Sequence, residues 1–368
     1  MRKWIIGAML LLLAVGLYWR LRPRAPVLAE AFVGEADATV WSTTAQVREN
    51  VASLHWGDRV DVLARSSAQE QIRTHQGVVG WMESHSLLDK EVWQQEQHLL
   101  SSVRGMPLQG AGHTKVYSNI RIEPGRDAQR IYQFPGDIPL AIFGRKSLAG
   151  AQSESAPDAP AQPEKREEWL LVYGPSPRSA IAAGATPSTL AEAAPTGEQP
   201  ETGLVTGNTA PSMDSGTSGK QTSPAVAGWV LARFIEFDLP ETLRDYASSS
   251  GVRPVAWFVL NRVPDPGGAR AQYLLAAMKG SEPQSCDFNS LRAYTWDHAR
   301  QQYQTAYVEG NLCGYLPVRI GKQAVTGDPE FRFKGVSSDG ASDEWLYRMK
   351  QTTVRRVREG ETVRKSRR

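Results

Sequence analysis

Apolar and polar positions alternate over residues 30–88 in short runs separated by turn signals. Residues 39–41 open the set and 47–54 continue it. A Gly57-Asp58 turn then leads into an alternating strand at 60–63. Residues 71–74 alternate again, Gly77 turns the chain, and 79–82 with 87–88 close the unit. Five strands in so few residues cover a core only by curling into a small barrel.

A similar order recurs over 111–238. Residues 115–118 read as its first strand, followed by Asn119-Ile120-Arg121 and a Pro124-Gly125 turn. Phe134-Pro135-Gly136-Asp137 precedes a strand at 138–142, residues 168–173 supply a central strand, and Gly228-Trp229-Val230 opens the last. Two stretches interrupt this copy, 147–166 and 175–226, both dominated by Ala, Pro, Ser, Thr and Gly. With so little apolar surface to bury they are expected to be disordered excursions, which loop-closure entropy tolerates. Residues 89–110 form the link between the copies, with Trp93, Leu99, Leu100 and Val103 at helical spacing. Pro240 sits at a favourable first-turn position for a short helix reaching Tyr246.

From 252 to 358 the pattern turns β-like again. Residues 255–260 are a continuous apolar run, and 291–296 with 303–308 read as a hairpin. Residues 331–333 and 345–349 form a second hairpin around Asp339-Gly340, and 359–368 are a basic tail expected to fray in solvent. The C-terminal unit is thus a small antiparallel β domain.

The N-terminus has a different character. Arg2 and Lys3 precede an uncharged run at 4–19, bounded by Trp4, Tyr18 and Trp19. Sixteen helical residues would reach about 24 Å, a little short of the ~30 Å hydrocarbon core. Residues 1–24 are therefore expected to be a transmembrane helix anchoring the chain. The alternative is a cleaved signal with its site near Ala29, against which Arg20, Arg22 and Arg24 intervene between apolar run and site. Counting charges across the span would place the body inside.

Composition narrows the chemistry. The 368 residues carry a net charge of +3, which gives no reason to expect a nucleic-acid partner. Eleven Trp and eleven Tyr suit half-buried strands. The two cysteines, Cys286 and Cys313, are either one disulfide or two small buried residues. None of the six histidines has metal-ligand spacing, and no phosphate loop or carboxylate pair stands out, so no cofactor and no metal are expected. Cys286 and His298 share the last domain, but no hydrolase signature surrounds them. The chain is read as a non-enzyme.

The order V-x-x-L-x-x-GD-x-V-x-V, then a strand, then G-x-x-GWM-x-x-x-x-L, resembles the bacterial SH3-like domain, with Gly57, Asp58, Gly80 and Trp81 at its landmark positions. Asn119-Ile120-Arg121 resembles the family's NVR opening, which in the first copy is degraded to Asn50-Val51 or Val47-Arg48. The expected fold class is therefore mainly β: tandem small SH3-like barrels plus a C-terminal antiparallel β domain, with an N-terminal transmembrane helix. The resemblance implies an extracytoplasmic body, on the inner membrane by a single pass or periplasmic after cleavage. It also implies ligand-binding aromatics: Trp41, Trp56 and Trp81 in the first barrel, Tyr117, Trp169 and Trp229 in the second. Trp56 is expected to be an exposed anchor, and Trp81 and Trp229 to pack partly into their barrels. The implied ligands are extended or peptidoglycan-type peptides. Two other readings are a scaffold for an envelope protein partner and a cell-wall hydrolase hidden in 252–358.

Overall fold

In the first of the two units into which the chain separates, Met1–Lys90, alternation in sequence becomes alternation of burial. The strands are β1 (Ala29–Val33), β2 (Asp37–Trp41), β3 (Asn50–His55), β4 (Arg59–Arg65), β5 (Gln69–Thr74), β6 (Val79–Glu83) and β7 (Leu87–Asp89). They form one antiparallel sheet in the order β3-β2-β6-β5-β4-β1-β7. Every second side chain points inward, so Val33, Val40, Val62, Ile72 and Met82 make the core. The Gly57-Asp58 turn works as its residues suggest. Gly57 holds a φ of 83°, its N–H donates to the Val33 carbonyl at 2.8 Å, and the Asp58 carboxylate accepts the His55 N–H at 2.8 Å. The computed structural model describes residues 26–149, 166–175, 225–280, 286–337 and 339–357.

The second unit, Glu91–Arg368, begins in helix α1 (Lys90–Arg104) and continues into a sheet built like the first. Its strands are β8 (Gly110–Thr114), β9 (Ser118–Arg121), β10 (Arg130–Phe134), β11 (Pro139–Ala149), β12 (Arg166–Pro175), β13 (Ala225–Leu231) and β14 (Ile235–Phe237). Their order is β10-β9-β13-β12-β11-β8-β14, the same permutation as in the first sheet. The irregularities recur too. The fourth strand of each copy slips register at one equivalent place, between Val62 and Ala64 and between Ile142 and Gly144. A short 3₁₀ turn precedes the last strand of both, at Ser84–Ser86 and Ala232–Phe234.

The glycine before each landmark tryptophan has a steric cause. A Cβ on Gly80 would lie 2.5 Å from Val40 Cγ1 and 2.7 Å from the Trp41 carbonyl; on Gly228 it would lie 2.5 Å from Ile120 Cγ2 and 2.8 Å from the Arg121 carbonyl. The other landmark is displaced by one residue. Asp137, with φ 62°, donates its N–H to the Thr114 carbonyl and so takes the place of Gly57, not of Asp58. Aspartate is among the few side chains that tolerate this region.

The remainder is a meander. After α2 (Glu241–Ser249) come β15 (Val252–Val263), β16 (Arg270–Lys279), β17 (Phe288–Asp297), β18 (Gln302–Lys322), β19 (Pro329–Val336), β20 (Ser342–Lys350) and β21 (Thr353–Val357), paired in sequence order. Both expected hairpins, β17 with β18 and β19 with β20, are present. One face carries a large core around Leu274, Phe288, Phe331, Phe333 and Tyr347, and α2 seals part of the other through Leu243 and Ala247. Cys286 and Cys313 are joined in a disulfide, their Cα atoms 5.2 Å apart, clasping the start of β17 to β18.

Gln109, fully buried, joins this sheet to the second β-module. Its side-chain amide accepts the Val318 N–H at 2.8 Å and donates to the Val318 carbonyl at 3.2 Å. Its main chain donates to Ile142 and accepts from Trp257.

The expected fold class is corrected on two counts. Each copy has seven strands rather than five: β1 precedes the expected set and residues 87–88 belong to a strand of their own, while β8, β10 and β14 were not expected in the second copy and residues 115–117 form an exposed bend instead of a first strand. The transmembrane helix is not found: among the described residues no helix is long and apolar enough to cross a membrane. The expected anchor at 1–24, the interiors of both low-complexity stretches and the basic tail at 359–368 lie outside the described residues.

Candidate functional site

The six aromatics expected to bind ligand do not form one site. Trp41 and Trp81 do meet. β2 and β6 bring them into register as a cross-strand pair, both half-buried on the outer face of the first sheet. The Arg48 guanidinium lies over the Trp41 ring at 4.3 Å and reaches Glu83 at 3.6 Å. Gln71 neighbours Trp81 on β5, and Arg73 pairs with Asp61 at 3.1 Å further along the same face. The result is a pair of rings with a planar cation on one side and amide and charged groups on the other. Such a surface can stack on a flat or apolar group while hydrogen-bonding an extended backbone.

The other candidates have different fates. Trp56 is only 6% exposed and cannot serve as the exposed anchor expected of it, because the chain turns its ring inward beside the Gly57 bend. Trp169 is 1% exposed, a buried residue of β12. Tyr117 is 72% exposed at the tip of the β8–β9 turn. Trp229, equivalent to Trp81, pairs across strands with Arg121 instead of a second aromatic ring.

Trp229 is also partly buried against a helix. Helix α1 lies on the outer face of β11–β13, with Leu100 and Val103 packed among Ala141, Phe143, Leu171, Ala227 and Trp229. Its buried positions, Glu96, Leu100 and Val103, follow helical spacing. Glu96 was not recognised from the sequence, where it is one more charged residue in a polar helix. Its carboxylate is fully buried, accepts the Ala227 N–H at 3.4 Å and the Gln97 amide at 2.6 Å, and burial pushes its pKa from the ordinary 4.5 up to about 7.

One chemistry falls away on geometry. The Cys286 sulfur is bonded to Cys313, so it offers no thiolate to a Cys/His hydrolase. His298 instead bonds the Asp265 carboxylate at 2.6 Å. Among the described residues no group of three or more His, Cys, Asp or Glu side chains could hold a metal ion.

No protein-family model matches the chain, and no curated protein matches it. Among solved structures, the chain is similar to "Structure of NlpC2 from Trichomonas vaginalis" at 8% identity, over 91% of this chain and 93% of that one. The TM-score is 0.16, so the likeness carries no argument about fold or function.

Proposed function

We propose that the chain is an extracytoplasmic, non-catalytic protein built on two SH3-like modules, the first of which binds an extended peptide or peptidoglycan-type ligand across Trp41 and Trp81. The observation that carries this reading is the contrast between copies. The same strand order sets two half-buried tryptophans side by side in the first module, whereas in the second Trp229 pairs with Arg121 and the chain's own helix packs on that face. The disulfide supports a location outside the reducing cytoplasm, where such bonds persist.

The test is co-sedimentation of the purified chain with peptidoglycan, alongside the Trp41→Ala/Trp81→Ala variant. The reading expects retention of the parent and release of the variant, with both proteins folded by circular dichroism. Equal retention would remove the tryptophan face from the site. No retention of the parent, together with a dominant protein partner in cross-linking, would replace wall binding with scaffolding.

A further inference from the structure

A cleft of about 720 Å³ opens in the second unit between the β-module and the start of the C-terminal sheet. That volume lies in the ~300–1,000 Å³ range of small-molecule sites. Its apolar lining comes from Leu170, Leu231, Ile235, Phe237 and Val255. One wall is held by a charge cluster. Arg145, nearly fully buried, pairs with Glu168 and donates to the Asp287 carbonyl, while Arg253 forks onto both Glu168 oxygens. Burial would raise the Glu168 pKa, but the bonds from Arg253 and the charge of Arg145 outweigh it and hold the carboxylate ionised.

Glu168 is thus taken up by Arg145 and Arg253. Lys115, Arg166, Arg233 and Arg244 also line the cleft, and none has a carboxylate partner among the described residues. Arg166 bonds Ser147, Arg233 lies over the Phe234 ring, and Arg244 reaches the Leu239 carbonyl at 3.4 Å. Of the remaining acids in the lining, Glu167 is held by Arg126, and Glu236 sits 4.0 Å from His113. An apolar floor whose lining carries more cations than carboxylates favours a ligand with negative charge and an apolar part.

We propose that this cleft binds a small amphipathic anion, a carboxylate or phosphate head group carried on an apolar body. The site is separate from the tryptophan face of the first module and stands or falls independently of it. The experiment is calorimetric titration of the full chain with octanoate and with octyl phosphate, using octyl glucoside and inorganic phosphate as controls. One-site binding of at least one octyl anion is expected, with no saturation by either control. Arg233→Glu/Arg244→Glu replaces two exposed cations and should weaken that binding by about tenfold or more, since it both removes attraction and adds repulsion. Should the double variant melt differently from the parent, Lys115→Glu alone repeats the measurement at another point on the rim. The proposal is overturned if neither octyl anion binds, if octyl glucoside or inorganic phosphate binds as tightly, or if affinity is unchanged in a folded rim variant.

Discussion

Where the first β-module pairs Asp61 with Arg73 across β4 and β5, the second carries Ala141 and Tyr173 at the same register. Gln71 beside Trp81 becomes Leu171 beside Trp229, and Trp41 becomes Arg121. Inner positions stay mostly apolar in both copies, with Thr74, Thr114 and Ser118 buried among them, so one strand permutation is preserved while the outer face of the fourth and fifth strands changes from polar to apolar. An apolar outer face must be covered, and α1 covers it in the second copy. The lesson is that inward residues define this module and outward residues decide what lies on it.

Removing the cover is expected to have the largest effect. Leu100→Ala with Val103→Ala should cost the second unit about 5 kcal/mol, the sum of lost burial and the cavity left behind. Urea denaturation followed by a probe in each unit would read it, with the first unit unmoved. Next comes the buried acid. The folded pKa of Glu96 is raised, so the folded state holds the proton more tightly than the unfolded chain between 4.5 and about 7. Stability of the second unit therefore falls as pH rises through that window, by about 3 kcal/mol when complete. Glu96→Gln should flatten the dependence in denaturation curves measured from pH 4.5 to 8.

Gly80→Ala and Gly228→Ala probe what the copies share. Each places a methyl against backbone and a branched side chain, so each should destabilise its own module by a similar amount, about 2 kcal/mol. A large inequality would mean that the equivalence of the two sites is superficial. The smallest stability effect is expected for Trp81→Ala, about 1 kcal/mol because its ring is only half-buried, whereas Trp229→Ala, also half-buried, should cost more because it loses packing against the cluster that holds α1. Thermal melts compare them directly. If Trp81→Ala costs as much as Trp229→Ala, the first face is not open.

The elements legible in the sequence were those whose alternation coincided with β-branched or aromatic residues. β4 and the β17–β18 hairpin are examples, as are the two glycine–tryptophan steps. β1 and β8 escaped because Ala-Glu-Ala-Phe-Val and Gly-Ala-Gly-His-Thr have little strand propensity and acquire their structure from the strands on either side. Lys115-Val116-Tyr117 misled for the opposite reason: its residues favour strands, yet the chain needs them to turn. The stripe of Leu100 and Val103 was visible on the helix, but its docking face is built from strands distant in sequence. The buried state of Trp56 and Glu96 depends on that same long-range geometry.

The amide of Gln109 imitates a strand residue, occupying both the N–H and the C=O of Val318, 209 positions away in sequence. Cutting the polypeptide between the second β-module and the meander would part the six hydrogen-bonding groups of three bonds, the two to Val318 and the one from the Trp257 N–H to the Gln109 carbonyl, at roughly 1–3 kcal/mol for each group left buried and unmet. A fragment ending near residue 250 should therefore be insoluble or loosely folded, while one beginning at Glu91 retains every partner. Anyone dividing this molecule for study would do better to part it at Lys90.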